Sequence, residues 1–476
     1  MPSLNRRRFL KAASLGVAAL SASRASSAAP DAGRRKPNII YIMADDLGYG
    51  DLSCFGQTKF QTPHLDRMAA EGVKFTDYYA GSTVCAPTRC VLMTGLHTGH
   101  SHVRGNREVN PEGQAPMPAD IFTLPRMLKK AGYVTGMFGK WGLGAPGSTS
   151  DPVRHFDTFY GYNCQRQAHT YYPAHLWHND TKVPLDGKTY SADLIAGQAL
   201  EFVRANKDRP FFAYLPFTIP HASMHVPEDS HAPFRKKFPE FEDKIGRYSG
   251  PTVTNPIAAF AGMVTRMDGY IGKLLDLLKE LGIDDNTLVS FTSDNGPHLE
   301  GGHNPNFFDS NGPLKGFKRD LYEGGIRVPF IARWPGKIKP GTTCDYPCAM
   351  WDVMPTCAEL AGIEPPAGID GISYLPALLG QMDRQKKHTF LYWAFYEGGG
   401  KQAIRMGHWK GVRNNVIRNP DSTLELYDLR TDIGETTNLA DKHPDVVKQL
   451  DEFMKSALTE SPLWSFKPKA KAKPKK

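Results

Sequence analysis

The chain has no apolar stretch long enough to cross a bilayer as a helix. The Ala/Leu/Val-rich run that ends near Leu20 falls short of the ~20 residues a span requires, and nothing after it comes closer, so no transmembrane helix is expected. No internal repeat of solenoid length recurs, which sets repeat architectures aside. Cysteine is scarce: seven residues, at 54, 85, 90, 164, 344, 348 and 357. An odd number leaves one thiol over as a candidate reactive group, and Cys85 is that candidate. Cys344 and Cys348 could bridge in an oxidising compartment, although spacing alone fixes no bridge. A zinc site at those two is the weaker reading, because no second Cys or His pair stands near enough to complete four ligands.

The chain also lacks a basic face, despite a formal charge of +9. Five basic residues and no acids lie within residues 1–29, and six lysines lie between Lys467 and Lys476; without those eleven the body carries −2. The basicity therefore sits in two appendages, and no nucleic-acid partner is expected. The Lys/Pro/Ala tail, 466–476, has a composition that cannot bury a core and is expected to be disordered. The chain as a whole, 476 residues and 40% hydrophobic with dispersed aromatics, is long enough for one large globular domain and a smaller one. Asn5-Arg6-Arg7-Arg8-Phe9-Leu10-Lys11, the apolar run and the small residues through Ala29 resemble a twin-arginine signal peptide over 1–29. Use of the twin-arginine export machinery, and a periplasmic or secreted location in a bacterium, follow as expectations.

Asn38–Met43 is a short β-branched run that stops at Asp45-Asp46, and Thr287–Phe291 is another that stops at Asp294-Asn295; both read as buried parallel strands. Apolar positions from Phe260 to Leu281 follow helical spacing, and Phe211–Leu215 reads as a strand running into Pro220-His221. In open α/β sheets ligands gather at the carboxyl ends of strands, so these polar loops are expected to converge. Beyond Gly371 the pattern changes to short strands (Thr389–Phe395, Gln402–Met406, Lys410–Val412) with Gly-rich turns and a helix over Pro444–Leu458, which predicts a small α+β subdomain.

Cys85-Ala86-Pro87-Thr88-Arg89, continued by Thr94-Gly95, resembles the signature of the type I, formylglycine-dependent sulfatases. Four further segments resemble the same family in the same chain order: Ala44–Gly48, Gly139-Lys140-Trp141, Ser293–Gly296 and Tyr322-Glu323-Gly324-Gly325. The resemblance implies an alkaline-phosphatase-like α/β fold, a large mixed sheet sandwiched by helices over 36–371 with a smaller C-terminal α+β subdomain over 385–465. It also implies conversion of Cys85 to formylglycine by a formylglycine-generating enzyme, and a sulfated sugar or polysaccharide as substrate.

By the same resemblance, Asp45, Asp46, Asp294, Asn295 and the modified Cys85 would hold one calcium ion; the all-oxygen set of acids and amide independently suits a hard cation. Lys140 and Lys318 match lysines that contact sulfate and leaving-group oxygens, Arg89 the motif arginine, and His221 a histidine placed to act as general acid. His298 and His303 are expected to line the substrate pocket, and Trp393 and Glu397 to reach a sugar from the C-terminal subdomain.

One position departs from the family. Where many sulfatases read Gly-Lys-Trp-His-Leu-Gly, this chain has Gly142, which moves no proton; His169 is the candidate to substitute. Two other functions stay open on the sequence alone: a phosphonate or phosphate ester hydrolase of the same superfamily, and a noncatalytic carbohydrate-binding relative.

Overall fold

In the computed structural model, which describes residues 35–110 and 112–467, strand β1 (Asn38–Ala44) is buried from end to end. Its alternating side chains serve two cores: Ile39, Tyr41 and Met43 enter one apolar cluster, Ile40, Ile42 and Ala44 the other. A strand covered on both faces has no polar side to show, which is why it reads as a continuous apolar run.

β1 is a central strand of a ten-stranded mixed sheet. The others are β2 (Val73–Phe75), β3 (Val134–Lys140), β4 (Thr158–Tyr162), β5 (His175–His178), β6 (Thr181–Pro184), β7 (Phe211–Pro216), β8 (Thr287–Ser293), β9 (Phe330–Arg333) and β10 (Thr342–Cys344), in the spatial order β10-β2-β9-β8-β1-β7-β3-β4-β5-β6. The five strands β8, β1, β7, β3 and β4 run parallel, and the flanks become antiparallel at β9 and β5. Helices α1 (Cys85–Thr94), α2 (Leu124–Lys130) and α3 (Val353–Ala361) contribute to the cluster of Ile39 and Tyr41; the helices Ser191–Asn206 and Pro256–Glu280 contribute to that of Ile40 and Ile42. This is the expected mixed sheet between helical layers.

A second, four-stranded antiparallel sheet joins Leu391–Phe395, Lys401–Met406, Trp409–Asn414 and Glu425–Asp428. One of its faces, with Trp393, Phe395 and Val412, merges into the core of α1. The other, with Tyr392, Ile404 and Leu426, is covered by Leu450 and Met454 of the helix Pro444–Ser456. The fourth strand, Glu-Leu-Tyr-Asp, carries charge at both ends and was not foreseen. Cys344 and Cys348 are unbridged, as is every cysteine: they lie on strands with different partners, β2 for Cys344 and Tyr78 for Cys348. The expected signal peptide and the tail beyond residue 467 lie outside the described residues. Among the described residues no helix is long and apolar enough to cross a membrane.

Candidate active site

The parallel strands deliver their polar residues to one end of the sheet. β1 and β8 are neighbours in a register that pairs Ala44 with Ser293, so Asp45-Asp46 and Asp294-Asn295 leave the sheet side by side. The Asp46 N–H donates to Asp294 Oδ1 at 3.0 Å and the Asp294 N–H to Ala44 O at 3.1 Å. Asp46 adopts φ +65°, a left-handed conformation that aspartate tolerates better than most residues and that functional loops often retain. β3 ends in Lys140, and β7 leads through Phe217 to His221. Gly296 follows Asn295 because two backbones meet there: a Cβ would lie 1.9 Å from Gly324 O, and the Gly296 N–H donates to Gly325 O. The Tyr322–Gly325 motif thus supports the Asp294 loop directly.

Cys85 is the first residue of α1, all of whose residues are buried, and its Sγ lies 3.4 Å from Asp45 Oδ1. Burial, and then the nearby Asp45 carboxylate, push the thiol well above its ordinary pKa. One turn further, Arg89 reaches Asp45 Oδ2 at 3.3 Å, Asp294 Oδ2 at 3.0 Å and the Lys140 carbonyl at 2.7 Å. Lys140 Nζ sits 2.6 Å from Asp45 Oδ2. Lys318 Nζ sits 2.8 Å from Asp46 Oδ2 and 3.0 Å from His221 Nε2.

Burial alone would raise the Asp45 carboxyl, but the charges of Lys140 and Arg89 reverse this and hold it well below the usual range. Asp294 is pushed the other way, up to about 7, by burial and by the charges of Asp45 and Asp46. Burial followed by the Lys318 charge drives His221 well below the ordinary imidazole value. Its Nδ1 donates to Ala222 O, which leaves Nε2 as the acceptor facing Lys318 and, at 3.3 Å, Asp46.

The oxygens here fit a hard cation. Asp45, Asp46, Cys85 and His221 bring their ligand atoms within 4.8 Å of one another. Asn295 Nδ2 is occupied with Asp46 Oδ1 at 2.7 Å, yet its Oδ1 is buried without a partner. A buried carbonyl oxygen left over beside three carboxylates is what a calcium site would satisfy.

The structure brings His169 to this site: its ring lies flat on His221, with centroids 4.2 Å apart and planes at 4°, and its Nε2 is buried without a partner. The space above Gly142 is filled. Gly142 has φ +70°, and a Cβ there would lie 3.0 Å from both Cγ and Nε2 of Gln165. His298 is fully buried, accepts from the Glu300 N–H and sits 3.2 Å from Pro220 O, bracing the loop of His221. His303 stacks on Phe260 at 3.9 Å and lies near His298 and Phe308, with both ring nitrogens buried without a partner. One substrate-facing expectation needs correction. Trp393 is wholly buried, with its N–H on Ala80 O and its ring against Tyr79 and Trp351, because it belongs to the core-facing side of the small sheet. Glu397 remains at the periphery: its Oε1 takes the Asn106 N–H at 2.9 Å, and Asn106 Oδ1 takes the N–H of Ala86.

Sequence reasoning did not find Asn106, Gln165 or Glu300. Glu300 contacts both Lys318 and Arg319, and half-exposed Tyr248 packs edge-on against His169 and His221. Gly142 was the one usable signal, since a missing side chain implies that another fills its volume.

Residues 37–363 match the sulfatase family model, and 315–461 match the model described as N-sulphoglucosamine sulphohydrolase, C-terminal. The chain is 30% identical to an N-acetylgalactosamine-6-O-sulfatase of Bacteroides thetaiotaomicron, covering 89% of this chain and 94% of that protein. It is 34% identical to the human N-acetylgalactosamine-6-sulfatase over 79% of this chain and 71% of the other. Among solved structures, Ps i-CgsB in complex with k-i-k-neocarrahexaose superposes with a TM-score of 0.76 at 29% identity, covering 91% of this chain and 95% of that one. With the motif cysteine, the strand-end acids and both lysines gathered at one end of the sheet, and with the family model spanning most of its length, the chain belongs to the sulfatases, the hydrolases of sulfuric esters.

Proposed function

We propose that the protein is an exported sulfatase that hydrolyses sulfate monoesters of sulfated sugars or polysaccharides, with Cys85 matured to formylglycine and one calcium ion in its site. The observation that carries this reading is the position of Cys85, at the start of a buried helix, 3.4 Å from a carboxylate and inside a ring of three acids, two lysines and an arginine. The names of the relatives, N-acetylgalactosamine sulfatases and a protein bound to a neocarrahexaose, support a sugar sulfate as the substrate class.

Asp45, Asp46, Asp294 and Asn295 would hold the calcium. When present, the ion offsets negative charge on oxygens, and the formylglycine hydrate supplies two hydroxyls on one carbon, for attack on sulfur and for release of sulfate. The remaining work belongs to the chain. Arg89 fixes the start of α1 against the Asp45 and Asp294 loops. Lys140 and Lys318 place two buried point charges at the sheet end, where they stabilise the oxygens of a sulfate in transit. The proton for the leaving alcohol is held between Lys318 and His221 Nε2, 3.0 Å apart. His169, stacked on His221 with a free Nε2, is the base that takes the part left vacant by Gly142.

The test is peptide mass spectrometry across Cys85, on protein produced with an active formylglycine-generating enzyme, joined to sulfate-release assays on sulfated saccharides and matched phosphate esters. Conversion with release of sulfate is expected. Full conversion with faster phosphate than sulfate release would overturn the reading in favour of a phosphoester hydrolase.

A further inference from the structure

Four residues within one short segment after β4 carry buried polar atoms that no protein group satisfies: both amide atoms of Asn163, Nε2 of Gln165, Oε1 of Gln167 and Nε2 of His169. Asn163 is 1% exposed and Gln165 4%, so neither amide is turned to bulk water. Buried amides are nearly always hydrogen-bonded, and such a group is retained where a ligand or an ordered water completes it.

The segment meets the site's elements at two places. Towards Lys140, the Gln165 side chain fills the volume above Gly142, whose N–H donates to the Asn163 carbonyl at 3.2 Å. Towards His221, the His169 ring lies flat against the imidazole. A hydrogen-bonded relay ties the segment to the nucleophile's helix: Gln114 Nε2 donates to Gln165 Oε1 at 3.3 Å, Gln114 Oε1 takes the Arg107 N–H, and neighbouring Asn106 takes the Ala86 N–H. The strand ends are therefore ionic, whereas this neighbouring segment presents uncharged amides.

We propose that Asn163 and Gln165 form a neutral subsite that hydrogen-bonds the hydroxyl or acetamido groups of the sugar bearing the scissile sulfate, selecting uncharged pyranoses over uronates. The inference rests on the reading above that the substrate is a sugar sulfate. Carboxamides offer a donor and an acceptor on one planar group, which matches a hydroxyl in both of its roles; a carboxylate on the sugar would call for a cation instead.

The experiment is calorimetric titration of the mature full chain, and of Gln165→Met and Asn163→Ala, with galactose and N-acetylgalactosamine 4- and 6-sulfates, with a sulfated uronate, and with inorganic sulfate. Circular dichroism confirms the fold of each variant, and either variant alone suffices. The expected result is a tenfold or larger loss of affinity for the best neutral sugar sulfate, with inorganic sulfate changed less than threefold. Equal losses for sugar and inorganic sulfate, unchanged sugar affinity, or a wild-type preference for the uronate would each overturn the subsite. Binding needs no turnover, so a failure to release sulfate would count against the hydrolase reading while the subsite is judged on the affinities.

Discussion

Two buried ionic networks lie in this molecule, built from the same residue types and doing opposite things. At the sheet end, Asp45, Asp46 and Asp294 meet Arg89, Lys140 and Lys318. At the joint between the sheets, Glu323, Asp77 and Glu435 meet Lys410, Arg327 and Arg405, with Lys410 2.6 Å from Glu323 and Arg405 2.7 Å from Asp77. The joint closes on itself: apart from Glu435 Oε1, its side-chain nitrogens and oxygens have partners. The sheet-end network leaves Asn295 Oδ1, Arg89 Nε and the adjacent His169 Nε2 without any. Burial and charge do not separate these two networks; the greater number of unsatisfied polar atoms at the sheet end does.

The sharpest way to break that contrast is to remove one residue from each network. Cys85→Ala should abolish sulfate release, by roughly 10⁴-fold or more as expected for a lost nucleophile, while leaving the urea midpoint near the parent's. Lys410→Met should do the reverse. It strands the Glu323 carboxylate, whose pKa burial would raise but which Lys410 and then Arg327 hold down near 2, and breaking a buried pair costs about 3–5 kcal/mol. Equilibrium denaturation should show that loss, with kcat of the folded fraction changed by less than about threefold; equal damage to both quantities in either variant would dissolve the distinction.

The same contrast explains what could be read from the sequence. Asp45-Asp46 and Asp294-Asn295 were legible because each ends an apolar run covered on both faces, and parallel neighbours bring such ends together. Glu323 was legible only as a motif: its partner Lys410 lies 87 residues further on, and no local periodicity connects them. Trp393 misled because an aromatic in a short strand looks alike whether it faces a core or a ligand, and only the sheet's packing decides. Gln165 could not be named at all, since its place above Gly142 depends on how the chain after β4 folds back.

Calcium sharpens the comparison at smaller amplitude. A cation bound only by the folded sheet-end oxygens should stabilise the protein by about 2.7 kcal/mol at a hundredfold excess over its Kd, and chelation should remove that increment. Asn295→Leu should lose the calcium response in a thermal-shift titration, whereas Lys410→Met, although less stable, should keep it. A response that survives Asn295→Leu in full would remove the asparagine from the ligand set.

The smallest effect comes from the one unsatisfied oxygen of the joint. The Glu435 carboxyl is pushed up to about 7, by burial first and against the opposing charge of Lys410, with the negative charge of Glu323 adding to the rise. Because this group holds its proton more tightly folded than unfolded, its contribution stabilises the fold fully below about pH 4.5 and is lost as pH rises through about 7. Glu435→Gln keeps an acceptor for the Glu323 N–H, a bond of 2.7 Å in the parent, and removes the titration. The variant should equal the parent near pH 5 and exceed it by roughly 1–2 kcal/mol at pH 8.5, less than the full linkage value because Glu323 and Glu435 share Lys410. Parallel stability curves for parent and variant from pH 5 to 8.5 would mean that Glu435 is ionised throughout, and the joint would then be balanced charge for charge like the sheet end, differing from it in having a single oxygen, Glu435 Oε1, left to offer a ligand.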